Sequence, residues 1–214
     1  MKITSIKQYK GTTYQADLDD GRRFYLHADI IADFGLCSDM ELDTPELRKI
    51  IYASNFRRAY QYALHLLDYR DYSYKEMRGK LIKTYKNESL CEAVMKRLVE
   101  FSFINDERYA ERLARKYIEG KRFGIRRAAR EMGAKGIDRF TTEDALAPYE
   151  DSDRDNLAYL LEKKYSRLLT DSSDRKTIEK VKNALVRYGY GFTDINAAVK
   201  EYFENEQDED IQED

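Results

Sequence analysis

The most constraining feature of this chain is a helical pattern that recurs about every fifty residues. From residue 44 to 204, apolar residues step by three and four, the spacing of one buried helix face. These short helical segments come in groups of three, and the matching second-helix positions Leu81, Met132 and Leu185 lie 51 and 53 residues apart. Units this small must share burial with their neighbours. The pattern predicts a mainly α protein of three tandem three-helix repeats forming an elongated, curved array.

The N-terminal region has a different pattern. Tyr14, Ala16 and Leu18 alternate with polar residues, and the pair Asp20-Gly21 precedes a second apolar run, which predicts short strands and a hairpin. A short helix is expected after them, ended by Gly35. The predicted parts are a strand-rich extension (1–50), repeat 1 (51–104), repeat 2 (105–151), repeat 3 (152–204) and an acidic tail, disordered for want of apolar anchors (205–214).

Polar residues also predict where several helices begin. Thr44, followed by Pro45, is a good N-cap, and Ser73 with Glu76 three residues later has the spacing of a capping box. By the same reasoning Ser89 would cap the third helix of repeat 1, and Thr141-Thr142 would open the third helix of repeat 2.

Composition argues against several functional classes. The two histidines lie in separate regions, no nucleotide-binding or hydrolase motif is present, and Cys37 and Cys91 lack the spacing of a zinc site. No apolar stretch approaches the roughly 20 residues of a membrane helix, and the first residues lack the apolar run of a signal peptide. We therefore expect a cytoplasmic protein that is not an enzyme, with no cofactor, metal or membrane partner.

The formal net charge of −2 hides an asymmetry. Residues 201–214 contain eight acids and no base, whereas residues 112–130 contain eight bases and one acid, Glu119. At about 100° per residue these cations oppose the apolar side of two successive helices. Such a surface fits the phosphates of DNA or an acidic protein surface, or is a solvated face with local ion pairs.

Tyrosines accompany other cations, as around Arg70 and Lys75. Aromatic rings among cations can stack on single-stranded bases, although a tyrosine at helical spacing also fits a core with its hydroxyl in solvent. Both interpretations remain open for these rings.

Several segments, which follow one another in the same order as in the family, resemble the RecX family, regulators of the bacterial recombinase RecA. The resemblance covers about residues 55 to 204. Its segments are Leu66-Leu67-x-x-Arg70-x-Tyr72-Ser73-x-x-Glu76-Met77-x-x-Lys80-Leu81, Phe103-Ile104-Asn105-Asp106-x-x-Tyr109-Ala110, Gly124-x-Arg126-Arg127, Glu131-Met132-x-x-Lys135-Gly136-Ile137, Ala145-Leu146 and Asp155-x-x-Ala158-x-x-Leu161-x-Lys163-Lys164.

The resemblance implies a non-enzymatic protein that lodges in the groove of the RecA filament on single-stranded DNA. It would inhibit the filament's ATPase, recombinase and co-protease activities in DNA repair and the SOS response, and some members also bind DNA directly. A monomer is expected separately, as the default for an elongated repeat array. The basic positions that match family segments are Arg70, Arg126, Arg127 and Lys135. The cations added from sequence position alone are Lys75, Arg108, Arg112, Arg115, Lys116, Lys121, Arg122 and Arg130. The alternative is a stand-alone helical repeat protein that binds nucleic acid, such as single- or double-stranded DNA, without sequence specificity.

Overall fold

The computed structural model describes the backbone of residues 1–212 and the side chains of residues 1–205. Over this part the chain is mainly helical, with a small N-terminal sheet and helices in groups of three, which confirms the predicted fold class. The strands and N-terminal helix are β1 (Ile3–Lys10), β2 (Thr13–Leu18), β3 (Arg23–His27) and α1 (Ala28–Asp33). The remaining helices are α2 (Thr44–Tyr69), α3 (Tyr74–Tyr85), α4 (Glu88–Glu100), α5 (Asp106–Arg115), α6 (Ile125–Ala134), α7 (Arg139–Leu146), α8 (Ser152–Leu160), α9 (Arg175–Tyr188) and α10 (Phe192–Gln212).

The chain divides into two compact units. Unit 1 comprises Met1–Asp71 and Met77–Ile104, whereas unit 2 comprises Tyr72–Glu76 and the chain from Asn105 onward. The first residues of α3 therefore belong to unit 2.

In unit 1, residues 3–27 form an antiparallel sheet with the strand order β1-β2-β3. Ile6 pairs with Ala16 and Ala16 with Phe24, so these apolar side chains share one face. This face packs on α1 and the start of α2, and the core holds Ile3, Ala16, Leu18, Leu26, Ile30, Leu36, Leu42, Leu47 and Ile50. Gly21, at φ +84°, makes the left-handed turn that the predicted hairpin needs.

Helix α2 runs without a break from Thr44 to Tyr69, so it begins beside the predicted start at Thr44 and crosses the predicted domain boundary at residue 50. Its first turns bury Leu47 and Ile50 in the sheet core, and its later turns bury Ala59 and Ala63. The later part packs against α4. One long helix thus serves both the N-terminal region and the first repeat.

The repeat positions have equivalent environments. Leu81, Met132 and Leu185 are each fully buried, as the repeat pattern predicts. The first helices of repeats 2 and 3 also match. In repeat 2 the buried residues are Tyr109, Ala110, Leu113, Ala114, Tyr117 and Ile118; in repeat 3 they are Asn156, Leu157, Leu160, Leu161 and Tyr165.

Both of these helices end in a π-helical turn, Lys116–Gly120 after α5 and Leu161–Tyr165 after α8. The buried pairs are spaced four residues apart, and this spacing is longer than the 3.6 residues of one α-helical turn. A π-helical turn contains more residues, so it keeps the last buried residues on the core face. The extra residue per turn thereby brings both Tyr117 and Ile118 into the core of repeat 2.

Three predicted N-caps lie one to three residues too late. The side chain of Asp43 accepts the backbone N–H of Glu46, Asn87 caps α4, and Asp138 caps α7. In each case an Asp or Asn upstream of the predicted Ser or Thr reaches the exposed N–H groups of the first turn. The capping box of Ser73 and Glu76 is present, with Glu76 N–H donating to Ser73 Oγ over 3.1 Å.

The predicted tail boundary at residue 205 also differs, because α10 continues to Gln212. No Gly or Pro occurs between residues 192 and 212, so the backbone meets no helix breaker there. The side chains of residues 206–214 and the backbone of residues 213–214 lie outside the described residues.

Candidate partner-binding surface

The exposed side of α5 carries a straight row of cations. Arg108 and Arg112 on α5 and Lys116 at the start of the π-helical turn are all exposed and lie four residues apart, so they stand above one another along the helix. We call these three residues the cation row. Because the buried pairs hold the opposite side of α5 in the core of repeat 2, the row faces solvent.

A neighbouring row on α5 is mainly acidic. It consists of Glu107, Glu111 and Arg115 on α5 and Glu119 in the π-helical turn that follows, and the three residues on α5 line a cleft against α7. Tyr149 closes this cleft and donates its hydroxyl proton to Glu119 Oε1 over 2.9 Å. Arg115 lines the same cleft beside Tyr149. Among the predicted site cations, Arg115 therefore faces the cleft within repeat 2.

The predicted site residue Lys135 lies where α3 begins, at a contact within unit 2 that we call the first junction (Ser73, Tyr74, Asp106 and Lys135). The Tyr74 N–H donates to Asp106 Oδ1 over 2.8 Å, and the Ser73 hydroxyl donates to the Lys135 carbonyl over 2.6 Å. The Lys135 ammonium lies 3.3 Å from the Glu76 carboxylate. Lys135 therefore forms a structural ion pair while staying half-buried.

The same scheme recurs where α6 begins, at the second junction (Gly124, Ile125, Asp153 and Tyr188). The Ile125 N–H donates to Asp153 Oδ1 over 3.3 Å, and the Gly124 N–H donates to the Tyr188 carbonyl over 2.9 Å. At both junctions, an aspartate early in one helix accepts a backbone N–H at the start of another. A residue ending a third helix supplies the carbonyl.

A left-handed glycine follows that carbonyl at each junction. Gly136, at φ +89°, lies against Lys75, and Gly189, at φ +103°, lies against Arg127. A Cβ at Gly189 would come within 2.4 Å of Arg127 Cβ and 2.8 Å of its backbone nitrogen. Both glycines thus supply a φ that L-residues avoid and the room for close packing.

Burial of the two junction aspartates raises the pKa of both carboxyls above the usual range for aspartate. For Asp106 the burial effect exceeds the opposing effect of the Tyr74 N–H, and for Asp153 that of the Ile125 N–H. Neither aspartate has a cation at bonding distance in the described part of the chain. Their negative charge is held mainly by backbone dipoles.

Arg127 also makes contacts beside the second junction. Its guanidinium lies 3.8 Å from the Phe123 ring centroid and donates from Nη1 to the Arg187 carbonyl over 2.8 Å. Its Nε is buried and 3.6 Å from Glu131, too far for a hydrogen bond. Arg127 is therefore a half-buried cation that contacts the second junction, and its role in partner binding stays a prediction.

Arg122 is likewise a packing residue. It adopts a left-handed backbone at φ +52°, and its Nη1 donates to the side-chain oxygen of buried Asn156 over 2.7 Å. Its guanidinium lies 4.6 Å from the Tyr159 ring centroid, and its carbonyl accepts the Tyr190 hydroxyl over 2.7 Å. These contacts join the loop before α6 to repeat 3.

The remaining predicted cations are more exposed. Arg126 and Arg130 are exposed on α6, and the Lys121 ammonium lies 5.3 Å from the ring centroids of both Tyr117 and Phe123. In unit 1, Arg70 ends α2 and donates to the Asp71 carbonyl. The twelve predicted cations therefore separate into a solvent-facing group and a group that holds helices together.

Sequence reasoning missed the junction aspartates. Asp106 and Asp153 lie 47 residues apart at equivalent places in repeats 2 and 3, and this spacing was the signal available. In the described residues, no group of three His, Cys, Asp or Glu side chains is arranged to hold a metal ion. No helix in that part of the chain has the length and apolar character required to cross a membrane.

Comparisons with known proteins agree with this architecture. Residues 59–98 match the family model of the first three-helix domain of RecX, and residues 105–146 match that of the second. A regulatory protein RecX of Bacillus subtilis is 30% identical, over 98% of this chain and 80% of the relative. A regulatory protein RecX of Clostridium perfringens SM101 is 27% identical over 96% of this chain and 98% of the relative.

Solved structures give the same fold. A crystal structure of regulatory protein RecX matches with a TM-score of 0.71 and 24% identity, covering 94% of this chain and 98% of that one. The crystal structure of RecX from Lactobacillus salivarius matches with a TM-score of 0.62 and 29% identity, covering 70% of this chain and 97% of that one. From its near full-length similarity to named regulatory proteins, we conclude that the chain belongs to the RecX family.

Proposed function

We propose that this chain is a non-enzymatic, cytoplasmic regulator that binds the RecA filament on single-stranded DNA and inhibits it in DNA repair and the SOS response. Binding one filament state more tightly than another shifts assembly by mass action, and no chemical step is needed. Family membership supports the partner, and the cation row is the observation that supports the contact surface.

The cation row suits this role better than the junction arginines. Its exposed side chains can reach phosphate or carboxylate groups without disturbing the core of repeat 2. A change at Arg122 or Arg127 would remove contacts within unit 2 and so mix a folding effect with a binding effect. A charge reversal of Arg126 and Arg127 would therefore be a poor test of partner binding.

The test is the single-stranded-DNA-dependent ATPase of RecA from the same organism, measured with substoichiometric amounts of this protein. We expect inhibition by the wild-type chain, and we expect Arg112→Glu with Lys116→Glu to raise the half-inhibitory concentration by about tenfold or more. The matched control is Lys176→Glu with Lys180→Glu, which reverses two exposed cations at the same spacing on α9.

Equal inhibition by both double variants would contradict the proposed surface. Absence of any effect of the wild-type chain on RecA, with binding to naked DNA intact, would favour the stand-alone nucleic-acid-binding alternative. In that case the affinity for DNA would fall steeply with salt concentration.

A further inference from the structure

The N-terminal sheet has a second face that the core does not use. Lys7 pairs with Gln15, and Gln15 pairs with Tyr25, so these three side chains point away from the packed face of Ile6 and Ala16. We call this the open face. Its side chains in the described structure include Lys7, Tyr9, Gln15, Asp17, Arg23 and Tyr25.

Two tyrosines lie side by side on the open face. The ring centroids of Tyr9 and Tyr25 are 4.9 Å apart with the ring planes 58° from parallel, and the residues are 63% and 38% exposed. Tyr9 sits where the register of β1 shifts between Gln8 and Lys10. Such irregularities re-aim side chains, and this one directs Tyr9 towards Tyr25 across the sheet.

The surroundings of this ring pair are positively charged. Lys7 and Lys10 are exposed, and among the residues with described side chains neither has an ion-pair partner. From α2, the Arg58 guanidinium donates to the Tyr25 carbonyl at the outer edge of the sheet. The acid of this face, Asp17, lies 2.7 Å from the Arg23 guanidinium, which lowers the pKa of Asp17 to about 2.

We propose that the open face binds single-stranded nucleic acid, with a base stacked on Tyr9 and Tyr25 and the backbone phosphates held by Lys7 and Lys10. Unstacked bases find aromatic platforms on several kinds of antiparallel sheet, and cations beside the rings hold the strand. In a duplex the bases are paired and stacked on one another, so their faces cannot stack on the tyrosine rings. We therefore expect the open face to prefer a single strand. This proposal concerns naked nucleic acid and goes beyond the regulation of a filament.

The test uses the full chain and a fluorescein-labelled oligodeoxythymidylate of about 15 nucleotides, the upper site size of small single-strand-binding modules. Fluorescence anisotropy measures the dissociation constant. We expect Tyr9→Ala with Tyr25→Ala to weaken binding by about tenfold or more, since each stacked base contributes roughly 1–3 kcal/mol. Tyr9→Phe with Tyr25→Phe keeps the rings and should bind within about twofold of wild type.

Controls separate stacking from loss of fold. Tyr52→Ala removes an exposed tyrosine of α2 in the same unit and should leave the affinity unchanged. Lys7→Ala with Lys10→Ala should reduce the slope of log affinity against log salt by about 1.4, or about 0.7 per phosphate contact. Photo-crosslinking of the wild-type chain to a strand containing 5-iodouracil should place adducts on Tyr9 or Tyr25.

Unchanged affinity in the alanine double variant, or crosslinks confined to residues 106–137, would overturn the proposal. An alanine variant that binds DNA normally but inhibits RecA poorly would make the open face a protein contact, which also overturns it. Because the RecA assay uses changes on α5 and this assay uses changes on the sheet, the two proposals can fail separately.

Discussion

The two junctions of unit 2 have the same geometry and use different chemical groups. At the first junction the Ser73 hydroxyl reaches the carbonyl of Lys135, whereas at the second the Gly124 backbone N–H reaches that of Tyr188. The first therefore includes side chains that can adjust, and the second brings two backbones together directly. Both junctions contain an aspartate, a backbone N–H that donates to it and a left-handed glycine. These three groups are the same at both junctions, although the neighbouring side chains differ.

The largest expected difference between the junctions is at their glycines. In Gly189→Ala the new Cβ would meet the backbone of Arg127, which cannot move, whereas in Gly136→Ala it would meet the Lys75 side chain. Left-handed strain costs about 1–2 kcal/mol and overpacking about 1–3 kcal/mol, so we expect losses of about 4 kcal/mol at Gly189 and about 2 kcal/mol at Gly136. Urea denaturation followed by circular dichroism measures the free energy of unfolding.

The control for these variants is Gly79→Ala within α3. A Cβ at Gly79 meets nothing within 4 Å, so better helix propensity should stabilise the chain by about 0.5–1 kcal/mol. Equal losses at Gly136 and Gly189 would show that the two junctions are equally rigid.

A variant of Ser73 tests whether the hydroxyl at the first junction stabilises the fold, in the place where the second junction uses a backbone N–H. Ser73→Ala removes a hydrogen bond to the Lys135 carbonyl and the cap of α3, so we expect a loss of about 1–2 kcal/mol in unfolding free energy. Ser89→Ala, at an exposed position in α4, should change it by less than about 0.5 kcal/mol. Equal losses of unfolding free energy in Ser73→Ala and Ser89→Ala would show that the Ser73 hydroxyl does not stabilise the first junction.

Arg127 and Arg126 test the division between packing and solvent-facing cations at the second junction. Arg127→Lys keeps the charge but loses the planar contact on Phe123 and the bond to the Arg187 carbonyl, for about 1 kcal/mol. Arg126→Lys should stay within about 0.5 kcal/mol. Thermal denaturation followed by circular dichroism compares the two, and a larger loss at Arg126 would contradict the division.

The smallest expected effect is a pH dependence that both junctions share. Because burial raises the folded-state pKa of Asp106 and Asp153, their stabilising contribution is present below the unfolded pKa and is lost as pH rises through the folded pKa. Asp106→Asn and Asp153→Asn should each gain stability relative to wild type between about pH 4 and pH 7. Denaturation midpoints at several pH values measure this.

The matched control is Asp138, whose pKa is lowered by hydrogen bonds from Thr141. Asp138→Asn should show the opposite sign, losing stability relative to wild type as pH rises from the lowered folded-state pKa to the unfolded value of about 4. The same sign at all three aspartates would mean that burial does not set the pKa at the junctions.

Local signals predicted much of this fold. The capping box of Ser73 and Glu76, the hairpin glycine Gly21 and the buried positions of the second helices follow from residue types at short spacings. Errors came where signals competed, as at α7, where Asp138 rather than Thr141 provides the cap. A helix start near Thr44 was predicted, but the predicted domain boundary at residue 50 falls within α2, because the sequence pattern changes inside one helix.

The sequence by itself determined the helical class, the three-helix repeats and which side of α5 faces the core, because these depend on periodicity within one helix. It also placed the twelve cations in the chain. Only the tertiary structure decided which of them face solvent and which hold helices together, as the contrast between Lys116 and Arg127 illustrates. A helical wheel contains no information about a neighbouring helix, and the contact of Arg127 with Arg187 joins residues 60 positions apart.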